Sequence, residues 1–92
     1  MTLFNAASYQ ALTEDAAVGA VGVAVSIYGL NDVTDANTIN LYDGTDATGT
    51  LIIKLNSRAA GDWQSFGEGI LFPHGCFVEG VTTALTVIYT VV

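Results

Sequence analysis

Along residues 20–29 apolar and small side chains alternate without interruption, with Val21, Val23, Val25 and Ile27 on one parity and Ala20, Gly22, Ala24 and Ser26 on the other. A strict period of two predicts a β-strand, because successive side chains point to opposite faces. The valines and the isoleucine form the expected core stripe. The opposite parity is nearly bare backbone, which marks Ala20, Gly22, Ala24 and Ser26 as candidates for close packing against a second sheet or another subunit; a central strand crowded by bulky neighbours accounts for it equally well. Residues 38–43 repeat the alternation with Ile39 and Leu41 inward, and residues 50–56 return with Leu51, Ile53 and Leu55 on one face. The polar run 43–49 joins the two as a hairpin. Residues 31–37, rich in Asp and Asn, read as a loop, because these side chains bond their own backbone.

Further along, residues 57–61 break the pattern, 62–66 form a short aromatic strand, and glycines at 67 and 69 predict a turn. Strands follow at 70–72, 76–79 and 83–92, separated by turns at 73–75 and 80–82, and the last strand places Leu85, Val87, Tyr89 and Val91 on one face. Punctuation every eight to twelve residues is the spacing of an all-β sandwich. At the start, residues 3–12 suit a strand or an irregular arm. Residues 13–17 begin like a helix, yet Gly19 and Gly22 follow too soon for one of useful length, so they read as a turn. The expected architecture is all-β: a single compact antiparallel β-sandwich or jelly roll of seven to eight strands over residues 1–92. Residues 1–17 are a candidate docking arm, with Leu3, Phe4 and Tyr9 as its apolar anchors.

Composition sharpens this picture. The 92 residues are 51% hydrophobic and 12% charged, with two cations, Lys54 and Arg58, against nine carboxylates. A domain this short buries only about 60 to 65% of its unfolded surface, so a chain this apolar is expected to hide the remainder against other subunits. Its net charge of −7 disfavours nucleic acid and anionic membranes as partners, since each phosphate neutralised needs a cation. Cys76 is the single cysteine, which rules out an intrachain disulfide. The uncharged run 16–30 is shorter than the roughly 20 residues of a spanning helix, and the N-terminus lacks the basic region of a secretory signal, so no membrane partner is expected.

Candidate chemistry is sparse. His74 and Cys76 lie two apart, the minimum for a thiol activated by an imidazole, but Pro73 and Gly75 place His74 in a turn and Cys76 opens an apolar strand, where it suits a small hydrophobe. One His and one Cys cannot supply a zinc site from a single chain. Asp32 and Asp35 share one loop and Asp43 and Asp46 the next, an oxygen-rich arrangement that could hold calcium, although their spacing is not that of an EF-hand and Asp is an ordinary turn residue. Trp63, Phe66, Phe72 and Phe77 gather in the C-terminal half as sugar-stacking candidates or as core, and base stacking would require a basic groove that the chain lacks. No catalytic residue, cofactor or metal is expected, and the chain reads as a non-enzymatic module.

Three segments carry a resemblance: Ile39-Asn-Leu-Tyr-Asp-Gly-Thr-Asp-Ala-Thr-Gly-Thr-Leu51, Phe66-Gly-Glu-Gly-Ile-Leu-Phe-Pro-His-Gly75 and Thr86-Val-Ile-Tyr89. Together they resemble the small β-sandwich structural proteins of tailed-bacteriophage virions, of the capsid decoration or cement type. Pro73 and His74, standing before Gly75, depart from that pattern. The resemblance implies a virion protein made in the host cytoplasm. It would form a homo-oligomer, expected as a trimer, and stabilise the shell by bridging subunits of a major capsid protein. The alternative is a phage tail or fibre module, or another glycan-binding β-sandwich, and an exposed Trp63 would favour it.

Overall fold

The computed structural model describes residues 8–32, 38–56, 63–82 and 84–92. They form eight strands: β1 (Ser8–Leu12), β2 (Ala16–Val18), β3 (Val25–Asp32), β4 (Ile39–Asp43), β5 (Thr50–Leu55), β6 (Trp63–Phe72), β7 (Cys76–Glu79) and β8 (Leu85–Val91). No helix occurs among the described residues, so none is long and apolar enough to cross a membrane. The strands build two antiparallel four-stranded sheets, sheet A in the order β1-β8-β3-β6 and sheet B in the order β2-β7-β4-β5. Pairing is nested, β1 with β8, β2 with β7, β3 with β6 and β4 with β5. Such nesting is what a single long hairpin produces when it wraps around itself, the arrangement of a jelly roll. The expected all-β sandwich is therefore present.

Between the sheets lies one shared core. Leu12, Val25, Ile27, Leu30, Phe72, Leu85 and Val87 come from sheet A, and Val18, Ile39, Leu41, Cys76 and Val78 from sheet B, all essentially out of contact with water. Alternation explains the choice, because Ile39 and Leu41, Cys76 and Val78, and Leu85 and Val87 are each two apart on their strands. Polar side chains close the end of the sandwich. Gln10 Oε1 accepts a bond from the Gly19 N–H at 2.7 Å, and Asp15 Oδ1 accepts from the N–H groups of Gly80 and Val81 at 2.9 and 2.8 Å. The accessible surface is 4932 Å², close to the ~5,100 Å² that scaling with mass gives for a folded monomer. The chain is thus unusual in the chemistry of its surface rather than in the extent of it.

Several local expectations require correction. The strand expected over residues 20–29 begins only at Val25; residues 20–23 form a turn in which the Val23 N–H donates to the Ala20 carbonyl at 3.2 Å, and Val21 is 67% exposed. Gly22, with φ of 76°, has a left-handed backbone that breaks the alternation. The turn expected at residues 67–69 lies inside β6. There residues 66–69 oppose the single residue Tyr28, a bulge that Gly67 and Gly69 permit through their positive φ. On β5, Leu41 pairs with Ile53 and Tyr42 with Leu51, which leaves Ile52 as an extra residue. That bulge turns Leu51 outward, against expectation, while Ile53 and Leu55 keep the core side. Ala16 and Ala17, expected in a turn, belong to β2. Much of the candidate arm is therefore built into the sandwich, since β1 pairs with β8 and β2 with β7. Of the loop expected over residues 31–37, Asn31 and Asp32 instead end β3 and 33–37 lie outside the described residues, as do the break expected at 57–61, residue 62 of the expected aromatic strand, and Leu3 and Phe4.

Candidate functional site

The side of sheet A that faces away from the core is assembled by register. Inward positions Leu12, Leu85, Val87, Val25, Ile27 and Phe72 leave the intervening residues on the outer face. Across the strands one row reads Ala11, Thr86, Asn31 and Trp63, the next Tyr9, Ile88, Gly29 and Ser65, and a third Thr90, Ser26 and Leu71. Between the second and third rows stands Tyr28, whose hydroxyl lies 3.0 Å from Thr90 Oγ1. Its ring lies so close to Gly69 that a Cβ there would fall 2.7 Å from Tyr28 Cε1. Tyr9 is 72%, Trp63 58% and Leu71 53% exposed, all three on the edge strands, while the central strands contribute half-buried Ser26, Tyr28, Thr86, Ile88 and Thr90 and the buried Gly29 and Asn31.

None of these residues is charged. Asp43, Asp46, Lys54 and Glu79 belong to the strands and hairpin of sheet B, and Glu14 and Asp15 to the bend between β1 and β2, while sheet A itself carries Asp32 at the end of β3 and the exposed Glu68 in the bulge of β6. On the outer side of sheet B, Glu79 Oε1 accepts from Asn40 Nδ2 at 3.0 Å and from the Tyr42 hydroxyl at 2.7 Å. These bonds hold the Glu79 carboxyl below its ordinary range and raise the Tyr42 phenol. The two outer faces therefore differ in kind.

The sequence candidates divide between places. Tyr9 and Ser26 meet on the outer face of sheet A, as residues of β1 and β3. Ala20 and Gly22 sit in the exposed turn before β3, and Ala24 is half-buried beside it, its carbonyl accepting from the Val92 N–H at 3.0 Å. The small-residue set thus does not form one strand face. Thr86, Ile88, Thr90 and Leu71 escaped notice because attention to the core parity of each strand leaves the other parity unread. The signal was present in β8, where every outward residue is β-branched and uncharged.

His74 and Cys76 do not act together. Cys76 is buried, and its thiol is pushed up to about 12 by desolvation and by the charge of Asp43, whereas His74 stands in solvent. Its partner is Asp43. Oδ1 accepts from the His74 N–H at 2.8 Å, Oδ2 lies 2.9 Å from Nδ1, and the side-chain bond chiefly lowers the Asp43 carboxyl. Asp46 is lowered by the hydroxyl and the N–H of Thr48. Both candidate calcium ligands on this hairpin are thus engaged in turn bonds, and no metal-holding group of three forms among the described residues. Asp35 lies outside them. Phe72 is core, Phe66 packs against it, and Trp63 alone of the four aromatics is exposed. No protein-family model matches the chain, and no curated protein or solved structure shows a match to it.

Proposed function

We propose that the protein is a non-enzymatic structural component of a tailed-phage virion, a capsid decoration protein that associates with itself and bridges major-capsid subunits on the outside of the shell. The observation that carries this reading is that, in a chain of net charge −7, the outward rows paired across sheet A hold no charged residue, with Glu68 confined to the β6 bulge. A protein that works by adhesion needs such a face. It gains from dehydration and leaves no charge buried without a partner. The fold is compatible, since jelly rolls serve as viral capsid and as lectin domains, and the architecture alone does not choose between them. Mass spectrometry and cryo-electron microscopy of purified particles test the reading. The expected result is a copy number comparable with that of the major capsid protein and density on the outer shell. Absence from particles, with the protein present in the infected lysate, overturns it.

A second reading, a tail or fibre module that binds surface glycans, draws on the 58% exposure of Trp63 on the same face of β6 as Ser65. An exposed indole flanked by uncharged hydrogen-bonding groups is a stacking platform for a sugar ring. Titration with neutral oligosaccharides tests it. Saturable quenching or blue shift of the Trp63 emission supports glycan binding, and an unchanged spectrum at millimolar sugar removes it.

A further inference from the structure

We propose that the free edge of β1 takes up an extended segment of a partner protein as a fifth strand of sheet A, a segment uncharged where it crosses β1 and basic at its N-terminal end. This contact rests on the adhesive reading of the protein and names the edge through which adhesion runs. The Val92 N–H donates to the Ala24 carbonyl in the register that pairs β3 with β8. Even-numbered residues of β8 therefore turn their main chain to β3, and Tyr89, Val87 and Leu85 turn theirs to β1. Ser8, Gln10 and Leu12 are the bonded partners of β8, so Tyr9 and Ala11 point their N–H and C=O groups away from the sheet. Both residues are exposed, and no other described residue bonds these four groups. Donors and acceptors alternating along one straight edge match the backbone of an extended peptide.

The other edges of the described sheets are closed. The Gly44 N–H donates to the Gly75 carbonyl, which by the same alternation turns Ala17 and the following Gly19 to the free side of β2. There the Gln10 amide takes the place of a strand: its Oε1 accepts from the Gly19 N–H at 2.7 Å and its Nε2 donates to the Ala17 carbonyl at 3.5 Å. β5 is kinked by the bulge at Ile52 and carries Lys54, and β6 is kinked by its own bulge and carries Glu68, devices that stop strand addition. β1 has neither bulge nor charge over Ser8–Leu12. A second copy would bring another charge of −7 to a strand of five residues, which buries too little to offset the repulsion. Exposed Glu14 lies beyond the Leu12 end, opposite the N-terminal flank of a strand added antiparallel, so a basic flank is attracted there. On the outer face Tyr9 offers its ring to a β-branched side chain across the new ladder.

The probe is a synthetic peptide, acetyl-Lys-Lys-Thr-Val-Thr-Val-Thr-amide, titrated to about 1 mM into the isotopically labelled intact chain and followed by NMR. Expected are saturable amide shifts concentrated on Ser8–Leu12, with hydrogen exchange at Tyr9 and Ala11 slowed about tenfold. Ala11→Pro removes an outward N–H without touching the β8 ladder, so it should melt like the wild type and bind the peptide about tenfold more weakly. The same peptide with both lysines moved to its C-terminal end should also bind more weakly, and equal binding overturns the basic flank. Absence of shifts, shifts centred on another strand, or binding that survives Ala11→Pro overturns the edge. Should that variant not fold, the wild-type exchange rates at Tyr9 and Ala11 decide. Protection of both amides in the free chain that grows with its concentration makes a second copy the occupant and overturns the partner. Absence of the protein from purified particles overturns virion membership alone, so the two failures are told apart.

Discussion

Cys76 has no access to water, and its thiol is held protonated up to about pH 12, well above its ordinary value of 9.0. A group whose proton is held more tightly in the folded state stabilises that state below its unfolded pKa, and the contribution fades as pH rises through the folded value. Stability should therefore fall between pH 9.0 and about 12 in the wild type and less steeply in Cys76→Ala. Iodoacetamide should label the thiol only as fast as the protein unfolds. Asp43 works in the opposite direction. Its carboxyl is lowered from 3.8 by His74, so its contribution is complete above the unfolded value and is lost as pH falls through the folded one. Melting curves at about pH 6 and about pH 2.5 should show a smaller acid loss in Asp43→Asn than in the wild type. Gly80 is conformationally demanding, with φ of 103° and the Thr38 carbonyl oxygen against the place a Cβ would occupy. Gly80→Ala should cost about 2 to 4 kcal/mol, read as a drop in melting temperature of roughly 10 °C or more.

Among the elements, β1 shows how a strand with little alternation of its own is held. It pairs along its length with β8, from Ser8 with Tyr89 to Leu12 with Leu85, and it sends Leu12 into the core. Removing it uncovers the hydrogen-bonding edge of β8, a template for wrong pairing. Deletion of residues 2–12 is therefore expected to give an aggregating or unfolded product rather than a folded protein with an arm removed. Leu12→Ala provides the graded version, with an expected loss of about 2 to 4 kcal/mol in denaturant titrations. A truncated chain that melts like the wild type would remove β1 from the cooperative unit. The β6 bulge opposite Tyr28 plays a different role. By absorbing residues 66–69 it lets the pairing with β3 resume after Tyr28, with Ile70 opposite Ile27 and Phe72 opposite Val25.

At the scale of the molecule, the nested pairing means that the first and last strands of the described chain lie side by side, with Leu12 opposite Leu85. Loop-closure entropy must be paid before such distant contacts return anything, so topologies of this type fold slowly. Stopped-flow refolding should show relaxation in the range of ~milliseconds to seconds. A microsecond phase carrying the full amplitude would contradict a pathway that closes the outer pairs of the nest. The same topology brings β1, β8, β3 and β6 together, and with them a surface that no single segment carries.

The alternating stretches Ile39 to Leu41, Cys76 to Val78 and Leu85 to Val87 announced their strands, their core faces and the all-β class, because a period of two survives wherever the backbone stays extended. Composition likewise announced a chain poor in charge and rich in apolar surface. What the sequence left open depended on glycine conformation and on register. Residues 20–23 alternate as a strand does, yet Gly22 takes a left-handed φ and turns the chain. Gly67 and Gly69 resemble a turn, yet a bulge carries the strand through them. Local pattern states which residues can share a face within one strand, and only pairing across strands states which faces adjoin. Tyr9 on β1 and Trp63 and Leu71 on β6 border one surface because β8 and β3 lie between their strands. That neighbourhood is set by hydrogen-bond register, which no stretch of the sequence specifies by itself.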